Sequence, residues 1–187
     1  MLKLQKEIDR GATRICYEHP NSPNLCIKVY INANKKPNEM HQEISIYKIL
    51  KEQLNTYLCF YEDNLTETDK GLGLVCELLR NDDGQISQSL VKCKRPLTPE
   101  IIAQIHNFTD TLIKEKIYFY DFNIKNFALQ IKNGKPQLKY IDLKSYNKYK
   151  PWTYLHLEKI IPYLAQRALR QRIKKFYTLL KKYKYIE

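Results

Sequence analysis

Two carboxylates and a carboxamide sit where the chain is otherwise strongly apolar. The run "IYFYDFNIKNFALQI" (117–131) holds Asp121, Asn123, Lys125 and Asn126, and Asp142 follows the apolar pair "YI" further on. Hard oxygen donors of this kind suit magnesium, which keeps several waters and shares a substrate's phosphates. Two further residues break an apolar pattern. In "LCIKVYI", Leu25, Ile27, Val29 and Ile31 alternate with Cys26, Lys28 and Tyr30, which places a cation in mid-strand. Glu43 falls on the helical stripe of Met40, Tyr47, Leu50 and Leu54. An unpaired buried charge is very costly, so pairing Lys28 with Glu43 resolves both anomalies. Simpler explanations stand beside each: Asp and Asn as ordinary turn formers, Lys28 as an edge-strand guard, Glu43 reaching solvent at the stripe's margin.

These residues need a scaffold. "ATRICYEHP" and "NLCIKVYI" read as strands joined by the turn "HPNSPN", and Pro37 opens a helical stretch to about Leu54. "YLCFYED" and "GLGLVCELL" read as two more strands, with the polar "NLTETDK" as a loop between them. Thr98-Pro99-Glu100 is a helix start, with Thr as cap and Pro in the first turn. Ile101, Ile105, Phe108, Leu112 and Ile113 mark its apolar face. "FALQIKNGKPQLKYIDL" reads as two strands around an Asn-Gly turn. Such a hairpin brings Asn126 and Asp142 to neighbouring strand ends. A helical tail is expected over roughly 153–183.

The chain has 187 residues, 43% of them hydrophobic, and a net charge of +12. That is enough for one domain or two small lobes sharing a cleft. No apolar run is long enough to span a bilayer. The opening MLKLQKEIDRG lacks the apolar core of a signal peptide. The cytoplasm is the expected compartment, with the basic tail as a route to the inner-membrane periphery. From Pro151 onward nine Lys/Arg face two Glu, giving +7 of the total. Such an excess favours anionic partners: nucleotides, nucleic acid, phosphorylated sugars or acidic headgroups. Cys16, Cys26, Cys59, Cys76 and Cys93 show no zinc or redox spacing and read as small buried hydrophobes.

Taken in order, Lys on a strand, Glu on the next helix, Asp with Asn five residues on, then Asp after a hairpin form a constellation that resembles the protein kinases. "CIKV" resembles their lysine strand, "DFNIKN" their catalytic loop, and "IDLK" stands where D-F-G would be. More narrowly, "RICYEHP…LCIKVY" with the "QEISIY" helix resembles the YrbL family, small bacterial kinase-like proteins named for the PhoP regulatory network. The resemblance implies an α+β, reduced two-lobed fold, with a small antiparallel sheet and one helix over about 1–79 and a short, mainly helical lobe over about 80–187.

It also implies roles, with ATP and magnesium as cofactors. Lys28 would hold the α- and β-phosphates, oriented by Glu43. Asp121 would accept or orient the acceptor hydroxyl, and Lys125 would neutralise the transferring phosphoryl group. Asn126 and Asp142 would hold magnesium. Cys26 would face the adenine, Gly11 would lie in the loop over the phosphates, and Glu77 to Leu79 would form the hinge. The chain departs from the pattern in having Gly11 alone instead of G-x-G-x-x-G, Tyr120 instead of Arg before Asp121, and Leu143-Lys144 after Asp142, with no activation segment. The leading expectation is a phosphotransferase acting on a hydroxyl of a small molecule, an envelope sugar or a protein Ser/Thr. Two other classes remain open: a pseudokinase-like nucleotide-sensing module, and a nucleic-acid binder using the Tyr/Lys-rich tail. Oligomeric state is not readable from the sequence. The tail reads either as a packed helix with a solvated basic face or as a dock for an anionic surface.

Overall fold

The computed structural model describes residues 1–32, 37–93, 96–119, 121–143, 146 and 162–186. Strands β1 (Glu7–Arg10), β2 (Arg14–His19), β3 (Ser22–Tyr30), β4 (Thr66–Thr68) and β5 (Gly71–Glu77) form an antiparallel sheet in the order β1-β2-β3-β5-β4. Helix α1 (Asn38–Leu54) connects its third and fourth strands in sequence. A second antiparallel sheet, β6 (Gln88–Ser89), β7 (Phe127–Lys132) and β8 (Lys135–Tyr140), packs with α2 (Pro99–Lys114) and α3 (Pro162–Lys182). The protein is therefore α+β, with the sheet, the helix and the mixed second lobe in the expected order. The second lobe carries more strand than expected.

The alternation in β3 works as read. Ile15, Tyr17, Ile27, Val29 and Val75 face one side of the sheet and close a small cluster around Leu4. Cys26, Tyr30, Leu74 and Cys76 face the other and join a large cluster reaching α1, α2 and α3. Gly73 allows β5 to approach closely, since a Cβ there would clash with Ile27 Cγ2. Lys28 lies on a central strand, between β2 and β5, so it is not an edge-strand guard.

The helix signals hold. Thr98 Oγ1 accepts from Ile101 N at the start of α2, whose buried face is Ile101, Ile105, Phe108, Thr109 and Leu112. In the β7–β8 hairpin, Asn133 and Gly134 both take positive φ (53° and 70°), the turn geometry that Asn-Gly favours.

Two readings need correction. "YLCFYED" is not a named strand. It is an extended tie that makes isolated bridges to both lobes, Leu58 to Tyr140 and Tyr61 to Cys76. Its buried Leu58, Cys59 and Tyr61 explain its strand-like composition. The expected loop "NLTETDK" instead contains β4. On α3 the buried stripe is Leu169, Ile173, Phe176 and Leu180, while Ala168 and Tyr177 are half-buried. Leu164 of the expected stripe has a side chain outside the described set, and residues 153–161 of the expected tail lie outside the described residues.

The stretch after β5 fastens the lobes together. Arg80 donates to Pro23 O and Glu18 Oε1 on the first-lobe side and to Gly84 O within its own stretch. Asn81 Oδ1 accepts from Ile131 N, and the Asp82 carboxylate accepts from Asn133 N and Gly134 N on the second. Those two amide bonds hold the Asp82 carboxyl below its ordinary value near 3.8.

Candidate active site

A cleft of about 630 Å³ lies between the two sheets, a size typical of small-ligand sites. Its walls include Lys28, Cys16, Cys59 and Cys76 from the first lobe, the segment Glu77–Leu79, and Lys92, Lys125 and Ala128 from the second. Glu77 and Leu79, the expected hinge residues, are part of that lining. Glu77 Oε2 accepts from Phe60 N, and Leu78 N is bound to Asn24 O. Of the expected site residues, Lys28, Lys125, Glu77 and Leu79 line it, whereas Gly11, Cys26, Glu43, Asp121, Asn126 and Asp142 do not. Gly11 is exposed and its N–H bonds to Arg14 O; Ile8 and Asp9 line the wall instead. Cys26 faces the correct side of the sheet but is buried, with its Sγ 3.4 Å from that of Cys76. Cys76 takes the lining position.

The expected Lys28–Glu43 ion pair is not formed. Glu43 is 1% exposed, so it does not reach solvent, and its Oε1 lies 2.6 Å from Nη2 of Arg14. Arg14 begins β2, and residues 14, 16 and 18 share its cleft-side alternation with Lys28 across the strand pair. A period-two reading of β2 places Arg14 on that face, though not against Glu43. Burial pulls the Arg14 pKa down, but attraction to Glu43 more than offsets this and leaves it raised. The pair is one of charges in contact, because neither Glu43 oxygen nor Arg14 Nη1 has a directed hydrogen-bond partner among the described residues.

Lys28 Nζ instead lies over the Tyr61 ring, 5.7 Å from its centroid. Burial disfavours its charge, but the neighbouring Cys76, Tyr61, Glu43 and Cys26 overcome that and hold its pKa well above the ordinary lysine value. The ammonium therefore stays charged. Among the described residues no carboxylate lies within ion-pair distance of it.

Across the cleft, a 3-10 turn over Ile124–Asn126 positions the second group. Buried Phe119, Phe122, Ile124 and Phe127 pack on Phe108, Tyr140 and Phe176 beneath it. Asn126 is 4% exposed and donates its Nδ2 to the backbone O of Asp121 at 2.6 Å. Asn126 O accepts from Ile141 N, so the carboxamide and Asp142 stand at adjacent strand ends, as the hairpin reading requires. Lys125 Nζ contacts Asp121 Oδ2 at 2.8 Å; both side chains are half-exposed. That hydrogen bond, with the charges of Asp121 and Asp142, raises the Lys125 pKa against a small burial cost. One ammonium thus lies within the field of both carboxylates. Tyr120 and Lys144, read above as departures from the pattern, lie outside the described residues.

The donor set fits a hard cation. Asp142 and Asn126 offer oxygen ligands on neighbouring backbone, and two protein ligands suffice for magnesium when phosphates and water supply the rest. No group of three His, Cys, Asp or Glu suited to a metal occurs among the described residues, so a dedicated all-protein cage is not what these residues build.

Fold and cleft together define a two-lobed α+β protein. The chain belongs to the YrbL family: the family model described as "PhoP regulatory network protein YrbL" matches residues 1–184. It is 30% identical over 135 residues to "Uncharacterized protein YrbL" of Escherichia coli K12, and equally to that of Shigella flexneri, covering 71% of this chain. The match spans 63% of the length of these curated relatives. Among solved structures, the chain is similar to the PknI kinase domain of Mycobacterium tuberculosis at 13% identity and a TM-score of 0.44, covering 78% of this chain and 60% of that one. It is also similar to the GDP and kanamycin complex of APH(2")-IIia at 9% identity and a TM-score of 0.41, covering 91% and 78%.

Proposed function

We propose that the protein is an ATP- and magnesium-dependent phosphotransferase acting on a hydroxyl acceptor. The observation that carries this reading is one cleft lined by Lys28 on the first-lobe side and by Lys125 and Ile141 on the second, with Asp121 in contact with Lys125, Asn126 bonded to Asp121, and Asp142 next in the chain after Ile141. Lys28 has no carboxylate partner among the described residues and would meet phosphate oxygens. Asp121 would take the acceptor's proton as the new oxygen–phosphorus bond forms and ADP leaves. Lys125, already against Asp121, would balance charge on the transferring group. Asn126 and Asp142 would hold magnesium, which when bound supplies charge neutralisation for the phosphates. The apolar floor beneath residues 121–126 keeps these groups from drifting, and phosphoryl transfer depends mostly on such positioning. The acceptor would be a small molecule, an envelope sugar or a protein Ser/Thr. The cytoplasm is the proposed compartment; no helix among the described residues is long and apolar enough to cross a membrane. The exposed Arg167, Arg170, Lys174, Lys181 and Lys182 on α3 are the surface proposed to meet an anionic partner.

The test is transfer of labelled γ-phosphate to a panel of such acceptors, with wild type beside Asp121→Asn. Transfer abolished by the substitution supports the reading; equal transfer by both proteins overturns Asp121's role. One observation favours a second reading, a nucleotide-sensing module. Arg14 occupies the carboxylate that would orient Lys28. A protein that binds ATP yet transfers nothing, even as Arg14→Ala, is such a sensor.

A further inference from the structure

Four of the five cysteines gather at the cleft face of the first sheet. Cys16, Cys59 and Cys76 line the cleft, and Cys26 lies directly opposite Cys76 on the neighbouring strand. The register is fixed on both sides by Leu25↔Glu77 and Ile27↔Val75. Facing residues of an antiparallel pair have Cα atoms about 4.5–5.5 Å apart, inside the roughly 4.4–6.8 Å that a disulfide spans. The two sulfurs are already 3.4 Å apart.

The two thiols are not equivalent. Cys26 Sγ can donate to Glu77 O at 3.7 Å as well as to Cys76, and its pKa is raised well above the ordinary thiol value by its contacts with Cys16 and Cys76 and by burial. Cys76 is lowered to about 7, first by the hydrogen bond from Cys26 and then by Lys28 and Arg14, against the cost of burial. Cys59, buried nearby, is pushed up to about 12 and stays protonated. Cys76 is 2% exposed yet lines the cleft, Lys28 lies on the same sheet face opposite Leu74, and Cys26 is in contact; a thiol that ionises more readily than its partner is the asymmetry that reactive dithiols use.

The geometry points to Cys26 and Cys76 as an oxidisable dithiol, reached from the cleft, whose substrate is a hydroperoxide. Cys76 sulfur attacks a peroxide oxygen; the S–O bond forms as O–O breaks, and the alcohol or water leaves with a proton. Cys26 sulfur then attacks the resulting sulfenic acid. The S–S bond forms as S–O breaks, and the hydroxide leaves as water with the Cys26 proton. Two thiols and one hydroperoxide become one disulfide, one alcohol or water, and one water.

The test treats reduced, folded protein with hydrogen peroxide, blocks remaining thiols with an alkylating agent and maps the bridges by peptide mass. A Cys26–Cys76 bridge should appear before any other and about tenfold faster than oxidation of Cys93, which lies outside this cleft. In Cys26→Ser, which removes the partner and keeps the attacker, a sulfenic acid should be trapped on Cys76 by a dimedone-type probe. No bridge in protein that still melts cooperatively, or a first bridge through Cys16 or Cys59, would overturn the proposal. Bound ATP with magnesium should slow bridging about tenfold by covering Cys76; an unchanged rate with nucleotide shown to be bound overturns the cleft route. A protein that forms the bridge but binds no nucleotide keeps the dithiol and loses the function proposed above.

Discussion

The two walls of the cleft are built on different principles. The second-lobe group is local: Lys125, which lines the cleft, lies with Asp121 and Asn126 within six residues, and Asp142 joins them across a hairpin whose turn is written in its own Asn-Gly. The first-lobe wall is assembled from β2, β3, β5, α1 and the 57–61 tie. Its pairings join residues distant in sequence. Arg14 wins Glu43 there, and Lys28 is left over Tyr61. Local chemistry is robust to such competition; long-range pairing is not.

The largest effect expected belongs to the local wall. Asp121→Asn should lower phosphoryl transfer by about 10²–10⁴-fold, the usual contribution of a positioned acid–base group, with little change in melting temperature. Equal rates would remove Asp121 from the chemistry.

The next sharpens the comparison on the other wall. Breaking a buried pair by deleting one partner typically costs about 3–5 kcal/mol, so Glu43→Ala and Arg14→Ala should each destabilise strongly in urea unfolding. If they are partners, the double variant should cost much less than the sum, and that coupling should exceed the one between Lys28→Met and Glu43→Ala. Strong Lys28–Glu43 coupling instead would restore the pairing read from the sequence.

The third concerns the fastening between lobes. Asp82 has a lowered pKa, so it adds stability above its unfolded value, and that stability is lost as pH falls through the lower folded value. Below about pH 3.8 the wild type should therefore lose melting temperature faster than Asp82→Asn does. Parallel acid limbs would show that the carboxylate does not hold the β7–β8 turn. The smallest effect is on stability alone. Lys125→Met removes a half-exposed ion pair and should cost less than about 1 kcal/mol, although transfer should fall with it.

Legibility followed the same division. The Thr98 cap, the Asn133-Gly134 turn and the alternation in β3 are short-range signals, and each element stands where those residues place it. Glu43 was identifiable as buried because its stripe neighbours are apolar. Its partner was not, since Arg14 is distant in sequence and its reach depends on the β2–α1 spacing. The strands β1, β4 and β6 are two to four residues long and owe their existence to the strand beside them. Tyr57–Tyr61 has strand composition because it is buried, yet it ties two sheets instead of extending one. The thiols at 16, 26 and 76 show no sequence spacing because only strand register brings them together.

The most direct test of the account is the melting temperature with ATP and magnesium, for wild type and Asp142→Ala. At a hundredfold excess over the dissociation constant, binding should add about 2.7 kcal/mol, or roughly 5–10 °C for a chain of this size. A magnesium-dependent rise of that order in wild type, lost in Asp142→Ala, is the predicted result. No rise at saturating nucleotide would contradict the claim that the two walls form one nucleotide site.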